Sequence, residues 1–432
     1  MPHIGWNGLK VRPGVPLLRG SEQSRVYFVH SYRALPEAGN QSWVASTTTY
    51  GCEFISSLGK GCVHATQFHP EKSGAAGLQL LGRFLGAGAG FEAAAQHDAA
   101  TLSGLAAAPP LARRVIACLD VRANDRGDLV VTKGDSYDVR EKPAEGVQGA
   151  PAGDVRNLGK PVDLAARYAQ DGADEVTFLN ITGYRESPLL DAPMLAVLRA
   201  ASVRVFVPLT VGGGIRDLVD GQGQCFTALQ VAAEYFRSGA DKVSIGSDAV
   251  AAAEAYYAAG GQKSGQSSIE AISAVYGAQA VVVSVDPRRV YVHSPEETRH
   301  VCVRAPRPGP MGQQWCWYQC TVQGGREGRD LGAVELARAV EALGAGEILL
   351  NCIDEDGQGN GFDAALVGAV SAAVRIPVIA SSGAGSPAHF TDVFRATAAS
   401  AALAAGIFHR NEVTIAQVKQ HMHDQHVPTR LA

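Results

Sequence analysis

From residue 113 onward, short apolar runs alternate with stretches that have helical spacing. The eight runs are RVIACLDV (114–121), EVTFLNIT (175–182), VFVPLTVGGG (205–214), DKVSIGS (241–247), AVVVSVD (280–286), GEILLNCID (346–354), IPVIASSGAG (376–385) and SAALAAGIF (400–408). They are continuously apolar, as in parallel strands buried on both faces. Segments such as PVDLAARYAQDG (161–172) and LGAVELARAVEALG (331–344) predict the intervening helices. Eight strand–helix units predict an α/β chain with a (β/α)8 TIM barrel, whose active site lies at the carboxyl ends of the strands.

The first hundred residues have a different organisation. Their predicted strands, VYFVH (26–30), WVAST (43–47) and CVHATQFH (62–69), form only part of a sheet. Residues 85–112 are rich in Ala and Gly and end in AAAPPLA, which predicts a helix running into a linker. We therefore expect a partial α/β domain at 1–105, a linker at 106–112 and the barrel at 113–432.

The barrel sequence is doubled. RVIACLD, ending at Asp120, resembles VVVSVD, ending at Asp286, and the two aspartates are 286 − 120 = 166 residues apart. A lone Asp at a strand end often only caps a turn. Two aspartates in equivalent positions instead indicate catalytic residues, because the strand ends of such barrels carry the active site.

Each half also has a glycine-rich loop after its third strand. The first contains Gly212, Gly213 and Gly214, and the second contains Gly383 and Gly385. A single loop of this kind is a weak signal, since glycine is common in turns. Two related loops with bare backbone N–H groups predict a substrate that has a phosphate at each end.

Composition excludes several classes of function. The formal net charge of −4 over 432 residues provides no broad positive field, so no nucleic-acid partner is expected. No apolar run reaches the ~18 residues of a membrane helix, so no membrane partner is expected. The eight cysteines lack paired metal-ligand spacing. We expect reduced, intracellular cysteines, no metal and no cofactor.

Several segments resemble the cyclase part of the imidazole glycerol phosphate synthase family. They are ACLDV, VTKG, TVGGG, DKVSIGS, VVVSVD, GEILLNCIDEDG, IPVIASSGAG and AALAAGIFH, and the resemblance covers about 300 residues. The insertions VRANDRGDLVVTKGDSYDVRE and CTVQGGREGR are similar to those of the fused, two-domain form of fungi and plants. PHIGWN, VYFVHSYR and ATQFHPEKSG resemble the second half of a class I glutamine amidotransferase domain.

The resemblance implies a reaction of histidine biosynthesis. Ammonia and a bis-phosphorylated ribulosyl formimino aminoimidazole carboxamide ribotide give imidazole glycerol phosphate and aminoimidazole carboxamide ribotide, a lyase reaction. Asp120 and Asp286 are then the general acid and base, in either order, and no cofactor is needed. The implied substrate-binding residues are Lys133, Asn180, Gly212, Gly213, Gly246, Ser247, Asn351, Asp356, Ser382, Gly383 and Gly406.

At the opposite end of the barrel, four charged residues begin predicted strands. They are Arg114, Glu175, Lys242 and Glu347. The resemblance implies that they form the gate of an ammonia channel. The alternative is a set of structural salt bridges at the barrel rim, each worth little stability.

In the first domain, the resemblance implies that His69 is the base of a glutaminase triad and Glu71 its orienting carboxylate, on one strand face. Such an amidase needs a nucleophilic Cys on a sharp turn. Cys52 and Cys62 lie between strands that the family uses for other purposes. We therefore expect an inactive glutaminase and a truncated sequence rather than a half supplied by another chain, because half a sheet costs chain entropy without closing a core.

Two other functions remain open at this point. The sister barrel isomerase of the same pathway also has two strand-end aspartates and binds a bis-phosphate, but it needs no ammonia. A non-catalytic scaffold that docks a glutaminase needs neither aspartate. The resemblance further implies glutamine or ammonia as the nitrogen source and an intramolecular contact between amidotransferase and cyclase. It implies the plastid stroma for a plant or algal chain and the cytoplasm otherwise.

Overall fold

A computed structural model of the chain describes residues 2–86, 108–123, 129–132, 157–181, 192–219 and 223–431. It divides into two compact units, Met1–Arg114 with Pro428–Arg430, and Val115–Val427 with Leu431–Ala432. Among the described residues, no helix is both long and apolar enough to cross a bilayer. Residues 106 and 107 of the predicted linker lie outside the described part of the chain.

Eight strands form the centre of the second unit. In chain order they are β7 (Arg114–Ala123), β9 (Glu175–Asn180), β10 (Leu209–Gly212), β13 (Lys242–Ile245), β14 (Val281–Val285), β19 (Glu347–Asn351), β20 (Val378–Ser381) and β21 (Ala401–Ala404). Each pairs in parallel with the next, and β21 pairs with β7, which closes the sheet. The prediction of a TIM barrel is confirmed.

Helices follow the strands. They are α2 (Pro161–Gln170), α3 (Ala192–Ser202), α4 (Ala228–Arg237), α5 (Ser247–Ala258), α6 (Ser268–Tyr276), α7 (Ala333–Leu343), α8 (Ala364–Ala373), α9 (Pro387–Ala396), α10 (Gly406–His409) and α11 (Ile415–Asp424). Local sequence sets several of their ends. Thr227 and Gln230 form a capping box that begins α4. Gly344, with φ 112°, ends α7 in the left-handed conformation.

Side chains that point inward from the strands fill the barrel. Ile116, Cys118, Val282, Leu349 and Ile379 belong to one buried cluster. Such layers make the centre a packed core and leave the strand ends to carry chemistry. The apolar runs in the sequence therefore specify a rigid support for those ends.

Three antiparallel elements are added to the barrel in the described part of the chain. β7 continues beyond the barrel and pairs antiparallel with β8 (Leu129–Thr132). After barrel strand β14, the chain forms an antiparallel sheet, which we call the insertion sheet, from β15 (Pro287–Val292), β16 (Cys302–Arg304), β17 (Trp315–Val322) and β18 (Glu327–Gly332). A short antiparallel pair, β11 (Leu218–Val219) and β12 (Cys225–Phe226), precedes α4.

Within residues 2–86, the first unit forms two small antiparallel sheets. Their strands are β1 (His3–Gly8), β2 (Lys10–Val11), β3 (Arg25–His30), β4 (Val44–Tyr50), β5 (Cys52–Lys60) and β6 (Val63–Thr66). Helix α1 (Gly74–Phe84) follows. Phe28, Phe54, Phe68 and Leu80 form the centre of its apolar cluster.

Candidate active site

The carboxyl ends of the barrel strands surround a cavity of about 920 Å³. This volume is within the range of small-molecule pockets. The predicted site residues that line it are Asp120, Asn180, Gly212, Gly213, Gly246, Ser247, Asp286, Asn351, Asp356, Ser382, Gly383 and Gly406. Lys133 lies outside the described residues.

Asp120 and Asp286 lie on opposite sides of the barrel. β7 and β14 are the first and fifth of eight strands in the closed sheet. Asp286 directly follows β14, as the sequence predicts. Asp120 does not end its strand, contrary to the prediction, because β7 runs on to Ala123 and Asp120 pairs with Thr132 of β8. Both carboxyls nevertheless line the same cavity.

The environment of Asp286 changes its acidity. Desolvation by the surrounding atoms raises the pKa of Asp286, although its side chain still faces the cavity. Hydrogen bonds from Asn351 Nδ2 (2.7 Å) and Ser284 Oγ (3.5 Å) to Oδ1 oppose this rise, whereas the charge of Asp356 adds to it. The net result is a carboxyl that keeps its proton to a higher pH than an ordinary aspartate.

Asp356 occupies a loop position rather than a strand end. It follows the 3₁₀ turn Ile353–Glu355, beyond the end of β19 at Asn351. Asn351, by contrast, is the last residue of its strand, and its Nδ2 also donates to Ser284 Oγ at 3.1 Å. The structure therefore places Asn351 beside Asp286 and puts Asp356 on a neighbouring loop that influences Asp286 through charge.

The two predicted phosphate loops depend on glycine for steric reasons. Gly213 has φ 107°, and a Cβ there would lie 2.2 Å from the carbonyl oxygen of Asn180. Gly383 has φ 94°, and its Cβ would lie 2.1 Å from the carbonyl oxygen of Gly361. Both loops therefore pack backbone against backbone at the edge of the cavity.

Two non-glycine residues of the cavity wall have backbones in the left-handed region. They are Ser382 (φ 72°), which precedes Gly383, and Gln323 (φ 55°), in the turn between β17 and β18. The Gln323 N–H donates to Ser247 Oγ at 3.2 Å. Unfavourable backbone conformations of this kind cluster at functional sites, and both of these residues lie in the second half of the barrel sequence.

Sequence reasoning missed the charged side chains of the wall. Arg122, Arg216, Arg326, Arg410, Asp248 and Glu412 also line the cavity. Only Arg216 had a local signal, since it follows TVGGG by two residues. The four guanidinium groups among these side chains can donate charge-assisted hydrogen bonds to the phosphates of a substrate.

The amino ends of the strands contain a buried ion cluster. Lys242 Nζ lies 2.7 Å from both Glu175 Oε1 and Glu347 Oε2, and all three side chains are at most 1% exposed. Thr210 Oγ1 also donates to Glu175 Oε1 at 2.6 Å. Each of these charged residues begins its strand, and Arg114 begins β7. Complete burial distinguishes this cluster from an exposed rim salt bridge.

In the first unit, His69 Nδ1 and Glu71 Oε1 are 2.8 Å apart. This hydrogen bond holds the pKa of Glu71 below its usual range. The predicted strand placement is wrong, because Pro70 cannot continue a strand ladder and instead begins the 3₁₀ turn Pro70–Lys72. Cys52 is the first residue of β5 rather than lying between strands, whereas Cys62 lies between β5 and β6. Both cysteines are exposed.

Comparisons with known proteins identify the family. The profile of a family described as histidine biosynthesis protein matches residues 114–414. Imidazole glycerol phosphate synthase hisHF, chloroplastic, of Arabidopsis thaliana is 59% identical over 431 residues, covering 100% of this chain and 70% of that protein. The chain belongs to the imidazole glycerol phosphate synthase family.

Other members of the imidazole glycerol phosphate synthase family match to different extents. The hisHF protein of Emericella nidulans is 57% identical over 435 residues, 98% of this chain and 77% of that protein. The HisF subunit of Haloarcula marismortui is 37% identical over 321 residues, 74% of this chain and 99% of that subunit. The relatives named hisHF match both units of this chain. Because these relatives are named as synthases or as a synthase subunit, the comparisons do not favour the isomerase alternative.

Proposed function

We propose that the barrel performs the cyclase reaction of imidazole glycerol phosphate synthase. Ammonia and the bis-phosphorylated ribulosyl formimino aminoimidazole carboxamide ribotide would give imidazole glycerol phosphate and aminoimidazole carboxamide ribotide. One observation carries the proposal: carboxyls from the first and fifth strands line a single cavity with glycine loops from both halves of the barrel. A substrate with two phosphates then has its reacting centre between the two carboxyls.

We assign different roles to the two aspartates. The raised pKa of Asp286 suits it to give a proton to the ketone oxygen or to the departing amine. Asp120 then takes the proton from the incoming nitrogen, and Asn351 orients Asp286 through its 2.7 Å hydrogen bond. The substrate-binding residues predicted from the sequence keep those roles in this proposal, and Lys133 is included with them.

We assign the cluster of Lys242, Glu175 and Glu347, with Arg114, to ammonia passage at the amino end of the barrel.

The pair His69–Glu71 is assigned to glutamine hydrolysis, as base and orienting carboxylate. Cys52 and Cys62 are exposed, and neither is assigned as the nucleophile in this proposal, so the 432-residue chain is expected to depend on free ammonia. A plastid location is proposed only from the name of the Arabidopsis relative.

The test is formation of imidazole glycerol phosphate from the bis-phosphorylated substrate and an ammonium salt. We expect turnover by the parent chain and a loss of at least about a hundredfold in Asp120→Asn and in Asp286→Asn, with unchanged circular dichroism. Near-normal turnover of either variant would falsify its assignment. A parent chain without ammonium-driven turnover would instead favour the scaffold alternative.

A further inference from the structure

The neighbouring ends of the last two barrel strands contain a charged group that no glycine or serine motif predicts. Gly383 follows β20 and Gly406 follows β21, and these two strands are adjacent in the sheet. Arg410 lies just after α10 and lines the same cavity. Loops after strands seven and eight are a frequent phosphate site in such barrels. A phosphate dianion bound only by neutral N–H and O–H groups lacks the charge-assisted hydrogen bonds that an arginine provides.

The guanidinium of Arg410 is held in a fixed direction. Its Nε donates to Glu412 Oε1 at 2.6 Å and its Nη2 donates to Glu412 Oε2 at 3.1 Å. This two-point contact sets the plane of the group and lowers the entropy lost when a ligand binds. Glu412 also lines the cavity, so the ion pair lies at its wall.

The third nitrogen of this guanidinium is directed at Gly406. Arg410 Nη1 lies 2.8 Å from the position that a Cβ on Gly406 would occupy. The Arg410 N–H also donates to the Gly406 carbonyl at 3.0 Å, which fixes the spacing of the two residues. The missing side chain of Gly406 therefore leaves the space that the guanidinium occupies.

We propose that Arg410 binds the substrate phosphate that lies against Gly383 and Gly406, and that Gly406 is glycine partly to admit this guanidinium. The inference rests on the proposed function, since it assigns one phosphate of the same substrate. Glu412 is a positioning residue that orients Arg410. Because the ion pair is about half exposed, solvent screens the attraction, and the effect on binding is moderate.

The experiment compares Arg410→Ala with Arg204→Ala as a matched control. Arg204 makes a similarly exposed ion pair with Asp163, at 2.9 Å, and does not line the cavity. We expect Arg410→Ala to raise the KM for the bis-phosphorylated substrate and the inhibition constant of inorganic phosphate about tenfold, with kcat within about threefold of the parent. Arg410→Lys should recover part of the loss, and Arg204→Ala should match the parent.

A double-mutant cycle tests the role of Gly406. Gly406→Ala should weaken phosphate binding in the parent, because its Cβ displaces the guanidinium, and should have no further effect in Arg410→Ala. Equal effects of Gly406→Ala in both backgrounds, or a KM in Arg410→Ala within twofold of the parent, would overturn the inference while the parent still turns over. A parent that neither binds nor converts the substrate would overturn the proposed function and this inference together.

Discussion

Asn351 donates a 2.7 Å hydrogen bond to the carboxyl of Asp286 across two adjacent barrel strands. This bond favours the charged carboxylate, whereas desolvation by surrounding atoms favours the protonated acid. Desolvation is the larger effect, and the pKa of Asp286 is raised. The balance between the two effects can be shifted by mutation.

The raised pKa of Asp286 predicts that stability depends on pH in a defined direction. A carboxyl whose folded pKa exceeds its unfolded value stabilises the fold most fully below the unfolded pKa, and this contribution is lost as pH rises through the folded pKa. Asp286→Asn removes the titration. We therefore compare the free energies of unfolding of Asp286→Asn and of the parent. The difference, variant minus parent, should increase as the pH rises above about 3.8, the ordinary pKa of an aspartate. Urea unfolding across this range measures the difference; a difference that stays constant or falls with pH would contradict the assigned acidity.

The proposed phosphate binding can be tested at Gly246, where a Cβ meets no atom within 4 Å. Gly246→Asp places a carboxylate beside Ser247 in the cavity wall. We expect it to raise the KM for the bis-phosphorylated substrate at least tenfold by like-charge repulsion. Gly246→Ala, which adds the same Cβ without charge, is the control and should stay within about threefold of the parent. Equal losses in both variants would mean that shape, and not charge, decides binding there.

The buried cluster around Lys242 predicts a large effect on stability. Lys242→Met removes the cation that pairs with the buried carboxylates of Glu175 and Glu347, and removing one partner of a buried ion pair typically costs about 3–5 kcal/mol. An exposed rim salt bridge would cost less than about 1 kcal/mol. Replacing both glutamates by glutamine in the Lys242→Met background should recover much of the loss, since the two side chains that paired with Lys242 are then neutral. Chemical denaturation of the three proteins separates these cases.

Turnover with glutamine tests the first unit, whereas turnover with ammonium tests the barrel. The 432-residue chain is expected to form imidazole glycerol phosphate with ammonium at a pH that supplies free NH3, and to form none with glutamine. Removing the nucleophile of a triad alone typically costs about a millionfold. Glutamine-driven turnover that disappears in Cys52→Ala or Cys62→Ala would show that one of these cysteines is the nucleophile.

The barrel could be predicted because each of its strands is a continuous apolar run, and Asp286 could be placed because it directly ends such a run. The path of a chain beyond a strand has no such periodic signal. For this reason the extension of β7 past Asp120 and the position of Arg410 were not predictable from spacing. A strand position for His69 neglects Pro70, which excludes a continued ladder.

The backbone contacts of Gly213 and Gly383 also limit how this cavity can change during adaptation or laboratory evolution. Every replacement of glycine adds at least a Cβ, and at these two positions that atom would collide with a carbonyl oxygen about 2 Å away. Substitution of Gly213 or Gly383 is therefore not expected to yield a variant that accepts substrates with differently spaced phosphates. Substitution remains possible at Gly246, where a Cβ would meet no atom within 4 Å. A variant library confined to that position would sample new ligand geometries while keeping the loop backbones that the barrel supports.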